Sequence, residues 1–219
     1  VRIPVMTARS GPTPEPSREE LRAALHERLV DRIRSVKGGG RLIQLACGSG
    51  TLTLHIAEAR PDLEILGLDT STDRLRMATE AAIRVAASGR VRFERADFSV
   101  LPLPDRTASI LVAVGVLGAA VNPRAVASEI HRVLANDGVA LLVEDVPEGG
   151  GGGRRGTLLP SLGRPGRDEE AIHQVIAGSS FRDDATFTRQ PLGEDRSFLE
   201  ITLKRPAPPP REPTSWRSP

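Results

Sequence analysis

The sequence predicts an α/β fold: a doubly wound, seven-stranded, mostly parallel sheet with an antiparallel C-terminal hairpin. Three observations predict it. Five short apolar runs alternate with helical stretches, the first run ends in a glycine-bearing turn, and two further strand-like runs lie near the C-terminus with a short polar loop between them.

Ser17-Arg18-Glu19-Glu20 has the spacing of a capping box. Leu21, Leu25, Leu29 and Ile33 then recur every fourth residue, which describes an amphipathic helix ending before Gly38. Residues 41–46, 63–68, 91–96, 108–114 and 139–143 read as strands, with helices over about 51–59, 72–87 and 123–135 between them. A helix near 168–177 and strands near 181–188 and 197–203 complete the pattern, the last two as an edge hairpin.

The chain has 219 residues, 39% of them hydrophobic, enough for one domain with a substantial core. Ten of the 18 prolines fall in residues 1–17 and 206–219, marking both as disordered tails around a domain at 18–205. Residues 149–166 hold eight of the 21 glycines and read as a mobile loop within the domain. The chain opens on valine, which fits a non-Met start codon or a start at Met6, and no signal segment is visible there. The longest apolar run, 110–121, is far short of the roughly 20 residues of a membrane span.

With a net charge of +2 the surface is nearly balanced, which argues against a nucleic-acid partner. Only Lys37 and Lys204 among the 30 basic residues are lysines, a bias of composition rather than of phosphate recognition. A single cysteine, Cys47, excludes an intrachain disulfide, and the histidines His26, His55, His131 and His173 show no zinc-like spacing. A reducing, cytoplasmic compartment and no metal are expected; oligomeric state is left open.

In a doubly wound sheet, ligands bind beyond the carboxyl ends of the strands, and the first strand-to-helix turn is the usual cradle. That turn is Ala46-Cys47-Gly48-Ser49-Gly50-Thr51, whose glycines permit a tight bend and close backbone approach. The dinucleotide fingerprint needs a third glycine where Thr53 stands, and there is no phosphate-loop lysine. Asp69, about 20 residues on at the end of the second strand, is placed to accept from ribose hydroxyls. These positions are compatible with a nucleoside ligand that has no critical phosphate, and equally with a purely structural turn.

Four ordered blocks extend this pattern. Leu42-Ile43-Gln44-Leu45-Ala46-Cys47-Gly48-Ser49-Gly50 and Leu66-Gly67-Leu68-Asp69-Thr70-Ser71 are two of them. Arg95-Ala96-Asp97-Phe98 with Leu101-Pro102-Leu103-Pro104-Asp105 forms the third, and Asn122-Pro123-Arg124 through Leu134 to Asp137-Gly138 the fourth. Together they resemble the class I S-adenosylmethionine-dependent methyltransferases, especially the small-molecule group that includes quinone-biosynthesis-type enzymes, over about residues 20–205.

The resemblance implies S-adenosylmethionine as cofactor and a small organic molecule as acceptor. It implies that Gly48 and Gly50, with Gln44, Ala46 and Cys47, carry the methionine portion. Asp69 and Thr70 would bind the ribose, Asp97 the adenine amino group with Phe98 beside the ring, and Val114 and Gly115 would border the sulfonium. Methyl transfer is an in-line displacement that depends chiefly on holding the partners together. Candidates for a base are Glu144, Asp145 and His26, with solvated loop carboxylates as the plain reading of the first two. Asn122-Pro123-Arg124 is not an amino-methylating Asn-Pro-Pro-aromatic motif, because Arg124 breaks it.

Two departures stand out. The family usually has an acidic residue at Gln44, and a neutral hydrogen bond there forfeits roughly 1 kcal/mol relative to a charged one. It usually has glycine at Ala46, where a methyl group is tolerated if the backbone keeps to the ordinary region. These departures keep open a non-catalytic protein that binds S-adenosylmethionine or S-adenosylhomocysteine. A nicotinamide-dependent oxidoreductase is disfavoured by the missing glycine.

Overall fold

The computed structural model describes residues 16–87, 89–146, 167–191 and 197–207. Helix α1 (Arg18–Ser35) precedes β1 (Gly40–Leu45), α2 (Thr51–Ala59), β2 (Leu63–Asp69), α3 (Thr72–Arg84) and β3 (Val91–Arg95). Then follow β4 (Ala108–Val114), α4 (Val116–Ala119), α5 (Pro123–Val133), β5 (Leu134–Val146), α6 (Glu169–Ala177), β6 (Ala185–Pro191) and β7 (Ser197–Lys204). The glycine-rich stretch 149–166 and the expected tails, apart from residues 16, 17, 206 and 207, lie outside the described residues.

The strands form one sheet in the order β3-β2-β1-β4-β5-β7-β6, parallel except for the antiparallel β5–β7 and β7–β6 pairs. Alternation of side chains gives each face its own core. Leu42, Ile110, Val112, Leu141 and Val143 face α1 and α2 through Leu29, Ile33, Leu52 and Ile56. Ile43, Leu45, Leu111, Ala113 and Leu142 face α4, α5 and α6 through Leu117, Ile130, Val133 and Ile176.

Local chemistry starts and stops these elements where the sequence indicates. Ser17 and Glu20 form a complete capping box: Ser17 N–H donates to Glu20 Oε2 at 2.7 Å and Glu20 N–H to Ser17 Oγ at 3.2 Å. Asn122 caps α5, accepting from Ala125 N–H at 3.1 Å, with Pro123 at the first helical position.

Several boundaries differ from expectation. The first hairpin strand begins at Ala185, not 181, because fully buried Phe181 sits in a turn and fills the core from there. Strand β5 reaches back to Leu134 through Asp137, whose φ is +60°, and its register against β4 shifts between Ala108 and Ile110. The region after β4 forms the buried four-residue helix α4. His131 of α5 is half-buried edge-on against Phe181, with ring centroids 4.9 Å apart.

Among the described residues no helix is long and apolar enough to cross a membrane, and no group of three or more His, Cys, Asp or Glu is arranged to hold a metal ion.

Candidate functional site

The strand order reverses between β1 and β4, whose carboxyl ends lie side by side with Leu45 paired to Ala113. A crevice outside the sheet opens at such a point. The turn after β1 and the turn after β4 therefore share one edge, and β2 and β3 bring Asp69, Thr70 and Asp97 to the same end of the sheet.

Left-handed residues build the turn after β1: φ is +55° at Ala46, +57° at Gly48 and +84° at Gly50. This corrects the expectation for Ala46, which is not in the ordinary region and carries a strain that glycine would not. Each glycine has a separate reason. A Cβ at Gly50 would come within 2.9 Å of the Ala78 Cβ and 3.0 Å of the Phe93 ring, so the turn packs against α3 and β3. A Cβ at Gly48 would meet nothing within 4 Å, so that residue faces open space.

Asp69 is 2% exposed and ties this turn to β2. Its Oδ2 accepts from Gly48 N–H at 2.9 Å. Its Oδ1 accepts from Ser71 N–H at 2.9 Å and from the Arg74 guanidinium at 2.9 and 3.2 Å. Cys47 is buried beneath, its thiol pushed up to about 12 by burial and then by the Asp69 charge. Gln44 is also buried, and its side-chain oxygen accepts from Thr53 Oγ at 2.7 Å, linking β1 to the first turn of α2.

Next to Asp69 an open cavity of about 500 Å³ is lined by Thr70, Arg95, Ala96 and Asp97. Asp97 is exposed and caps its own turn, with Oδ1 accepting from Ser99 N–H at 2.8 Å and Ser99 Oγ at 2.7 Å; these bonds hold its carboxyl below the usual range. Phe98 departs from its expected place beside a ring, because its side chain is buried in the same core cluster as Leu68 and Leu101.

An unanticipated clamp fixes the loop that follows. Arg132 of α5 donates to the carbonyls of Leu101 and Leu103 and to Asp105 and Glu129, while Glu129 accepts from Leu101 N–H at 2.7 Å. The signal was present in the sequence, since Glu129 and Arg132 share one helix face three residues apart, but their distant partners were not readable.

On the other side of the switch point, Val114 is half-buried and Gly115 is left-handed, with φ +66° and its N–H donating to Val143 O at 2.7 Å. Glu144 is not a solvated loop carboxylate: it is 1% exposed within β5 and accepts from Leu117 N–H at 2.8 Å and Gly118 N–H at 2.9 Å. Burial pushes its carboxyl up to about 7 against the pull of those N–H groups. Asp145, the next residue along β5, is half-buried and opposite Phe198. His26 is half-buried on α1 and meets His55 of α2 edge-on, with centroids 6.5 Å apart. It therefore has a partner in the helix layer.

A second cavity, of about 640 Å³, is lined by Lys37, Gly38, Ser109, Asp137, Lys204 and Arg205 among others. It lies at the amino ends of β1 and β4, away from the switch-point crevice, and is not the candidate site.

Comparison with known proteins agrees with this geometry. Residues 42–138 match the family described as Methyltransferase domain. The chain is 35% identical over 112 residues to the ubiquinone/menaquinone biosynthesis C-methyltransferase of Syntrophotalea carbinolica, covering 50% of this chain and 46% of that one. It is 34% identical over 112 residues to the demethylmenaquinone methyltransferase of Thermus thermophilus, covering 51% and 50%. The chain thus spans about half the length of the curated relatives it matches. Among solved structures, the [4+2]-cyclase SpnF superposes with a TM-score of 0.67 at 20% identity, over 83% of this chain and 81% of that one. Strand order, the turn at the switch point and the matched segment agree, and by them residues 42–138 resemble the domain of the class I S-adenosylmethionine-dependent methyltransferases.

Proposed function

We propose that this chain binds S-adenosylmethionine and directs its methyl group to a small organic acceptor. One observation carries the reading. The buried Asp69 carboxylate is held at the crevice by four donors, three of them on Oδ1 and one on Oδ2. Each carboxylate oxygen has about two lone pairs, so Oδ2 keeps capacity for a ribose hydroxyl.

The surroundings fit such a ligand. Gly48, open above, leaves room for the methionine portion, and the cavity bounded by Thr70, Ala96 and Asp97 has room for adenine beside the ribose position. When bound, the donor supplies an electrophilic methyl group on a sulfonium. The protein's own contribution is to orient: Asp69 and the Ala46–Gly50 turn hold one partner, while the turn at Val114 and Gly115 borders the other. The buried apolar α4 beside that turn favours a small, largely apolar acceptor, in keeping with relatives named for quinone biosynthesis.

A second reading, donor binding without methyl transfer, is favoured by Gln44, whose neutral amide is engaged by Thr53, and by the occurrence of the same fold in the [4+2]-cyclase SpnF. Calorimetric titration with S-adenosylmethionine, S-adenosylhomocysteine and NAD tests the site, with binding expected for the first two. An acceptor screen read by release of S-adenosylhomocysteine then separates transfer from binding. Tight NAD binding with no response to the sulfonium overturns both readings.

A further inference from the structure

Four-residue α4 is too short to support itself, and the N–H groups of its first turn have no partner within the helix. What holds it is β5. The Val143 carbonyl accepts from Gly115 N–H at 2.7 Å, and the next side chain along, Glu144, accepts from Leu117 and Gly118 through its two oxygens. At the far end, Arg167 donates to Ala120 O at 3.1 Å. The turn that borders the proposed acceptor side is therefore fixed from beneath by one buried carboxylate.

Among the described residues no cation pairs with Glu144, and a carboxylate shut away from water in this way is a costly choice where a neutral side chain would fill the space. Strand β4 and helix α4 carry no ionisable residue, and the inward residues of α5 and α6 are Val126, Ala127, Ile130, Val133, Ile172, Val175 and Ile176. Across β7 the paired residue is Leu199, and its neighbour Glu200 is bound to Arg32. Among the described residues, Asp145, adjacent in the strand, is the one charged group that acts on Glu144, and its effect is repulsive.

We propose that Glu144 is a positioning residue, whose carboxylate sets the turn at Gly115 and α4 in the geometry required for methyl transfer and releases that turn when it takes up a proton. This rests on the function proposed above. The ionised carboxylate accepts both N–H groups. Protonation turns one oxygen into a donor, so the N–H facing it loses its acceptor and the first turn of α4 loosens. Glu144 does not reach the crevice and is not a base; it acts through the backbone of Leu117 and Gly118.

The test follows the amide signals of Leu117 and Gly118 in the ¹⁵N-labelled full chain from pH 5.5 to 8.5, alongside calorimetric affinity for S-adenosylmethionine and turnover with whichever acceptor the screen yields. The expected result is that both amides titrate together with a midpoint near neutrality, kcat falls about tenfold from pH 8 to pH 6, and donor affinity changes little. Glu144→Gln should abolish the amide titration and hold kcat at the low-pH level throughout. Amides that stay flat across this range overturn the proposal, and wild-type protein alone decides that if the variant fails to fold. An unchanged pH–rate profile in a folded Glu144→Gln protein overturns it as well. Absence of donor binding overturns the reading of the site instead, whatever the amides do.

Discussion

Removing the Asp69 carboxylate takes the acceptor from Gly48, Ser71 and Arg74 at once. Each N–H left unpaired in a buried place costs about 1–3 kcal/mol, so Asp69→Ala should lower the denaturant midpoint as well as donor affinity. A folded Asp69→Ala protein with unchanged affinity in calorimetry would take the residue out of the site. Ala46→Gly should act in the opposite direction. Alanine at φ +55° pays about 1–2 kcal/mol that glycine avoids, while glycine gives back about 0.5–1 through its freer unfolded chain. A gain of about 0.5–1 kcal/mol in chemical denaturation is expected, and a loss would contradict the strain. Cys47, buried with its thiol pushed up to about 12, should resist iodoacetamide at pH 8 until the protein is denatured, which intact mass measures directly.

At the scale of elements, much was legible because periodicity and caps agree. The α1 capping box reads straight from Ser17 and Glu20, and Ser17→Ala should cost about 1 kcal/mol in a thermal melt. Strand β4 matches its expected bounds because it is apolar throughout and buried. What was not legible depends on distant partners. Phe181 gives no local sign that it fills the core from a turn, and Glu144 looks like a strand-end carboxylate until α4 is seen folded over it. Arg60 is a similar case: it secures the end of α1 by donating to the carbonyls of Ile33, Val36 and Gly38, a task no spacing announces. Within the site, Gly48, Gly50 and Asp69 were readable because the turn chemistry is local, whereas the engagement of Gln44 by Thr53 was not.

Across the whole molecule, stability should depend on pH through groups that oppose one another. Burial, with the nearby His55 and Arg22 charges, holds His26 down to about 4. Between there and its ordinary 6.5 the unfolded chain binds the extra proton, so acidification through that window removes stability, and His131 shifts in the same direction. Glu144 runs the other way. Raised to about 7 from an ordinary 4.5, it binds its proton more readily in the folded state, so acidification through that range adds stability. The two partly cancel from pH 6.5 to 4.5. Glu144→Gln should therefore melt with a steeper loss over that interval than the parent, and His26→Gln with a shallower one; parallel curves would refute the assignment.

The sheet also ends at two margins, β3 and β6, where backbone groups are open to pairing with another chain. Exposed Arg92, Glu94 and Arg95 occupy β3, while β6 exposes Arg189 and closes on Pro191, which has no N–H to offer. Charge and proline at these places discourage strands of a second molecule from adding on, so the same residues that look unremarkable on a surface act as guards against fibrillar aggregation. Replacing Arg92 and Glu94 with valine would leave the core untouched while turning one margin into a template, and the cost would fall on the shelf life of concentrated protein rather than on its folding.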